Sequence, residues 1–160
     1  MCDVPRQRLV RPINVAVAAW ALAVTLVDLV SKWWARHHLM PPGRHVLGPL
    51  WLRVTYNSGI SFSLNRSSPA VTTAITLVVV LVVAMVAVRA YPGLATVGFG
   101  LLLGGGISNE IDRLMRTPHE VTDFIAVGSF PVFNLADVAV TSGFLVVFFL
   151  LLRSSPLVQR

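Results

Sequence analysis

Two carboxylates lead into one apolar corner of this chain. Val121-Thr122-Asp123-Phe124 is followed shortly by Phe130-Pro131-Val132-Phe133-Asn134-Leu135-Ala136-Asp137, and fifteen uncharged residues, Val138 to Leu152, come after Asp137. If Asp123 and Asp137 flank one water molecule, mutual repulsion and desolvation keep one protonated while the other stays ionised. The ionised carboxylate takes a proton from the water as it attacks a carbonyl. The protonated one hydrogen-bonds the developing oxyanion and then supplies the leaving amine. That is the chemistry of aspartic peptide hydrolysis. A simpler role for Asp137 is to complement the positive N-terminal end of the helix it opens.

Other polar residues recur at helical spacing. Asp28 and Lys32 are four apart, in the acid-before-base order that favours pairing. Asn109, Asp112 and Arg113 stand at i, i+3 and i+4, so a carboxylate, an amide and a guanidinium are expected to satisfy one another on one side of a helix. Asn134 and Asp137 are three apart. Competing hydrolytic schemes fall by subtraction. His37, His38, His45 and His119 all lie in connecting segments, no His-Glu-x-x-His helix is present, and Ser31 points away from the only lysine, Lys32.

The elements that hold these residues are read from composition. The chain has 160 residues, 55% of them apolar and 12% charged, with a mean hydropathy of +0.74. So few charges cannot cover a water-soluble surface. A hydrocarbon core takes about 20 apolar residues in helix to span, and four runs approach that length, about 13–35, 70–88, 94–111 and 134–152. The expected fold class is therefore an all-α membrane protein of four transmembrane helices, a single domain over 1–160. The segment 36–69 adds a small β-rich subdomain on the membrane surface, because Val46, Leu47, Trp51, Leu52, Val54 and Tyr56 alternate with turn residues. The first run continues to Asp28, Lys32, Trp33 and Trp34 without a cleavage site, so it reads as a retained span and not as a signal peptide.

With four spans, both termini share one side. Arg6, Arg8 and Arg11 ahead of the first span argue that this side is the cytoplasm. Every acidic residue except Asp3 then lies at the opposite face. The net charge of +6 is spread over scattered arginines, which weakens any nucleic-acid role. The lone cysteine, Cys2, excludes an internal disulfide. Gly100 and Gly104 are expected to permit close helix packing.

In this order, the segments resemble the lipoprotein signal peptidases, or signal peptidase II. Asp28-Leu-Val-Ser-Lys32 is similar to that family's Asp-x-x-[Ser/Thr]-Lys, and Asn57-Ser-Gly59-Ile-Ser-Phe62-Ser63 to its Asn-x-Gly-x-Ala-Phe-Ser. Gly104 to Arg113 resembles Gly-Gly-Ala-x-Gly-Asn-x-Ile-Asp-Arg, and the two aspartate segments resemble those carrying the family's catalytic pair. The resemblance implies that Asp123 and Asp137 form the dyad and that Asn57, Asn109, Arg113 and Asn134 hold substrate and position the acids. Asp28 and Asp112 would belong to the supporting polar shell. It implies a bacterial cytoplasmic-membrane enzyme that cuts diacylglyceryl-modified prolipoproteins before the lipidated cysteine, at the outer leaflet. It also implies no metal or other cofactor, and inhibition by the cyclic peptide globomycin. A monomer surrounded by membrane lipid is expected. Ser61, Gly106, Ser108 and Glu110 depart from the family pattern without removing a catalytic group that the resemblance implies.

Two readings compete. A small proton-coupled transporter needs an acid near the midplane, and only Asp28 lies well inside a span, about 10 Å from its end at a rise of about 1.5 Å per residue. A non-catalytic assembly factor would tolerate the loss of either Asp123 or Asp137.

Overall fold

The computed structural model describes residues 14–57, 69–116 and 119–158. Arg6, Arg8, Arg11, Cys2 and the signature residues Ser58 to Ser63, with Ser61 among them, lie outside the described residues. Among the described residues, four helices are long and apolar enough to cross a membrane: α1 (Val15–His38), α2 (Pro69–Ala87), α3 (Leu94–Met115) and α4 (Leu135–Leu152). Asn14 caps α1, its side chain accepting from the Val17 N–H and donating to the Ala90 carbonyl. Arg36, His37 and His38 occupy the last turn of α1, where cations meet the negative end of the helix dipole.

The inner helix is α3. Its spanning window is 56% buried, against 28% for α1, 17% for α4 and 11% for α2. Lipid supplies no hydrophobic drive between helices, so close approach depends on small residues. A Cβ at Gly104 would sit 2.6 Å from the Ala21 carbonyl oxygen of α1, and one at Gly105 2.5 Å from the Ala136 carbonyl oxygen of α4. Gly100 is closed against Trp20 in the same way. The glycine run therefore lets α1 and α4 lie against opposite flanks of α3.

Beyond the helix ends lies a three-stranded antiparallel sheet in the order β1 (Arg44–Leu47), β2 (Leu50–Asn57), β3 (Val121–Val127). Gly48, at φ +50°, and Pro49 make the tight turn between β1 and β2. The third strand comes from between α3 and α4, a segment that reads as a loop in the sequence. Its pairing with β2 sets Thr55 opposite Asp123 and Asn57 opposite Val121. The chain then folds back at Gly128, Ser129 and Phe130, and the Ile125 and Phe133 backbones bond to each other in both directions. This fold-back returns Asn134 and the start of α4 to the side of β3 that carries Asp123.

The helices also differ at their ends from the expected spans. α3 continues through Met115, four residues beyond the expected 111, so Asp112 and Arg113 stand on regular helix.

Candidate active site

Asp123 is carried by β3 and Asp137 by the first turn of α4, and both line one cavity of about 580 Å³. Asn57, Asn109 and Arg113 line it too, and Phe130 to Phe133 form an apolar flank. Asn134 joins the two acids. Its side-chain Nδ2 donates to Asp123 Oδ1 at 2.7 Å, and its backbone N–H donates to Asp137 Oδ2 at 3.1 Å. The Asn134 Oδ1 in turn accepts from the Asp137 N–H at 2.9 Å, completing a capping box at the N-terminus of α4. The helix-capping role considered for Asp137 is therefore real, and it uses only one of its two oxygens.

The second oxygen of each carboxylate meets another amide. Asn109 Nδ2 donates to Asp137 Oδ1 at 3.0 Å, and Asn57 Nδ2 donates to Asp123 Oδ2 at 3.2 Å. Asn109 also accepts from Lys32 Nζ at 2.7 Å and from Asn134 Nδ2 at 3.2 Å. Three asparagines on three different elements thus aim donors at the two acids.

Behind this layer sits a buried charge network. Asp28 and Lys32 are fully buried and pair at 2.7 Å, as their spacing predicts. Asp28 Oδ2 also accepts from the Ser108 hydroxyl at 2.7 Å, and Oδ1 accepts from the Ala136 N–H at 2.7 Å, one residue before Asp137. One carboxylate therefore pins α1, α3 and the start of α4 together. Removing one partner of a buried pair typically costs about 3–5 kcal/mol, because the other charge is left uncompensated. Asp112 fixes β3: it accepts from the Thr122 N–H at 2.8 Å and pairs with Arg36 at 3.4 Å and Arg116 at 3.5 Å.

The expected mutual satisfaction of Asn109, Asp112 and Arg113 is corrected by these contacts. Consecutive helical residues diverge by about 100°, so Asp112 turns to β3 and Arg113 turns toward α2. There Arg113 Nη1 pairs with Glu110 Oε1 at 3.0 Å, and the Thr76 hydroxyl of α2 bonds the same oxygen. Among the described residues, Glu110 Oε2 and Arg113 Nε are the buried side-chain atoms without a hydrogen-bond partner. Glu110 is buried and engages Arg113, a cavity residue.

Asp123 lies on β3, outside the spanning helices, and is 2% exposed. Burial, and next the negative charge of Asp137, push its carboxyl up from 3.8 to about 6. The hydrogen bonds from Asn57 and Asn134 and the charge of Lys32 pull the other way without cancelling the rise. Such a carboxyl takes up a proton near neutral pH while a second acid stands beside it, which suits a general acid–base pair. Among the described residues, no group of three or more His, Cys, Asp or Glu side chains is arranged to hold a metal ion.

All eight candidate residues, Asp28, Asn57, Asn109, Asp112, Arg113, Asp123, Asn134 and Asp137, are therefore brought to one end of the helix bundle, though in different roles. Sequence reasoning overlooked Ser108, Thr122 and Arg36 as members of the network. Arg36 was open to discovery, since it stands four residues after Lys32 on the face of Asp28. Thr122 was not, because its contact to Asp112 depends on β3.

The chain is similar to known proteins in sequence and in fold. Residues 20–153 match the family described as signal peptidase (SPase) II. The chain is 39% identical over 141 residues to a lipoprotein signal peptidase of Chlorobium phaeobacteroides (strain BS1), covering 77% of this chain and 87% of the relative. It is 36% identical over 149 residues to one from Mycobacterium avium (strain 104), covering 88% and 78%. Among solved structures, a bacterial membrane enzyme determined by the in meso method superposes with a TM-score of 0.76 at 26% identity, over 88% of this chain and 89% of that one. A second, at 24% identity, shares the fold with a TM-score of 0.78 over 89% and 96%.

Proposed function

The chain belongs to the signal peptidase II family of lipoprotein signal peptidases, multi-pass membrane enzymes that process prolipoproteins, and from that premise we propose that Asp123 and Asp137 are its catalytic dyad. The observation that carries the assignment is the single asparagine, Asn134, hydrogen-bonded to both carboxylates at the wall of one cavity.

The reaction follows from the two acids' surroundings. Asp137, held by the Asn109 amide and the Asn134 backbone N–H at the N-terminal end of α4, serves as the general base. Asp123, whose carboxyl is raised to about 6, serves as the general acid. Water between them gives a proton to Asp137 as its oxygen bonds the scissile carbonyl carbon, and Asp123 donates its proton to the carbonyl oxygen. The tetrahedral intermediate then collapses: Asp137 returns the proton to the leaving nitrogen, the C–N bond breaks, and Asp123 recovers its own proton as the carbonyl reforms. One water is consumed, and a carboxylic acid and an amine result.

The substrate of this reading is a diacylglyceryl-modified prolipoprotein, cut before its lipidated cysteine. The cavity supports it by combining polar donors with the apolar flank from Phe130 to Phe133, which suits acyl chains beside a peptide backbone. Trp33, Trp34 and Trp51 are exposed, as residues at a lipid interface are. The site faces the outer leaflet, both termini are cytoplasmic, and the enzyme works as a monomer without a cofactor. A globomycin-type cyclic peptide would occupy the same cavity. The transport alternative loses its candidate carrier, because Asp28 has both oxygens engaged in holding three helices together. Turnover of a diacylated prolipoprotein by the purified protein and its Asp123→Asn and Asp137→Asn variants tests the assignment.

A further inference from the structure

The buried ammonium of Lys32 has a use beyond its pairing with Asp28. Its Nζ lies 2.7 Å from Asp28 Oδ2, 2.7 Å from Asn109 Oδ1 and 3.9 Å from Asp112 Oδ2, and the side chain is wholly enclosed. An ammonium has donors and no acceptor, whereas an amide has a donating and an accepting end of nearly equal size. Asn109 can therefore meet Lys32 only with its oxygen, which leaves its NH2 to face the opposite side. There it donates to Asp137 Oδ1 at 3.0 Å. The Asn134 amide enforces the same choice by donating to Asn109 Oδ1 at 3.2 Å, but it is neutral and lies farther away.

We infer that Lys32 is a positioning residue of the peptidase reaction, fixing the orientation of the Asn109 amide so that its NH2 is presented to Asp137. Turned over, Asn109 would bring a carbonyl oxygen against the carboxylate of Asp137, repelling it and removing one of its two donors. The charges around Lys32 favour the observed state. Asp28 from α1 and Asp112 from α3 face the ammonium, while Arg36 and Arg116 are drawn to Asp112. From α4 and β3, Asp137 and Asp123 face it across the two asparagines. This inference rests on the reading of Asp123 and Asp137 as the dyad.

The test is a double-mutant cycle on kcat and KM for a diacylated prolipoprotein, followed by single turnover with excess enzyme. Lys32→Met is expected to lower kcat about 10- to 100-fold, the range of one charge-assisted hydrogen bond, with KM changed by less than about twofold. In an Asn109→Ala background the same substitution is expected to cost less than about threefold, because the amide it orients is gone. Because Lys32→Met leaves Asp28 uncompensated, the pair Asp28→Asn/Lys32→Met is measured beside it. This pair is expected to recover thermal stability without recovering kcat. Equal losses in both Asn109 backgrounds, or parental kcat in the Asp28→Asn/Lys32→Met protein, would overturn the positioning role. Failure of the dyad reading is separate, since it appears as turnover surviving Asp137→Asn.

Discussion

Asn134 and Asp137 cap each other. The Asn134 side-chain oxygen accepts from the Asp137 N–H at 2.9 Å, and the Asp137 carboxylate accepts from the Asn134 N–H at 3.1 Å. A helix-capping box therefore doubles as the mount for an acid at the cavity wall. The Nδ2 end of the same asparagine, which takes no part in the cap, reaches Asp123. The stability of α4 and the alignment of the two acids depend on one side chain.

Asn134→Ala consequently has two separable effects. Loss of the cap costs about 1 kcal/mol of stability, read as a modest fall in Tm. Loss of the donor to Asp123 lowers kcat by about 10- to 100-fold. Unchanged turnover in a destabilised protein would show that Asn134 only caps the helix.

Adjacent glycines of α3 should respond very differently to a methyl group. In Gly105→Ala the new Cβ would meet the Ala136 carbonyl oxygen at 2.5 Å, and a backbone atom cannot step aside without moving the start of α4. In Gly106→Ala it meets only a methyl carbon of Val80 at 2.8 Å, which can turn away. The expected outcome is loss of stability and of turnover for Gly105→Ala, and near-parental behaviour for Gly106→Ala. Thermal unfolding and prolipoprotein processing compare the two, and equal behaviour would contradict the packing argument.

The raised Asp123 carboxyl makes stability depend on pH in a definite direction. Its value in the fold is about 6 against an ordinary 3.8, so the fold holds this proton more tightly than the unfolded chain does. The stability gained by holding it is complete below 3.8 and is lost as pH rises through about 6. Asp123→Asn has no such proton. The stability difference between variant and parent should move in the variant's favour by up to about 3 kcal/mol between pH 3.5 and 7.5. Melting curves at both pH values check this, and a pH-independent difference would speak against it. The parent's kcat/KM should also decline on the alkaline side, with an apparent pKa belonging to the pair of acids.

Much of the arrangement is legible before any fold is known, for physical reasons that also mark its limits. The spans are visible because a hydrocarbon core demands long apolar runs, and Asp28 with Lys32 because α-helical spacing stacks residues four apart. The strand β3 is hidden. Its partner β2 lies far back in the chain, and the first four residues, Val121 to Asp123 and Phe124, are all buried, so the alternation that marks a half-buried strand is absent. The roles of Asp112 and Arg113 diverge for the same reason. Only the position of β3 decides which neighbour takes the carboxylate, and only the proximity of α2 gives Glu110 and Arg113 a shared partner in Thr76.

Orientation in the membrane has its own test. Ser129, in the exposed turn after β3, stands at the end of the bundle that carries the site, and Arg89, exposed in the turn between α2 and α3, stands at the other. With Cys2 replaced by serine, Ser129→Cys in intact cells should react with a membrane-impermeant thiol reagent. Arg89→Cys should react only after permeabilisation. The reverse labelling pattern would invert the topology.

The central claim is that Asp123 and Asp137 share the catalytic work. The most direct measurement is single-turnover cleavage of a purified diacylated prolipoprotein by the parent, Asp123→Asn and Asp137→Asn proteins in one lipid environment, with folding checked by melting temperature. The account predicts that each folded variant binds substrate and fails to cut it, with rates lowered by at least about 1,000-fold. Cleavage at a parental rate by either folded variant would contradict it.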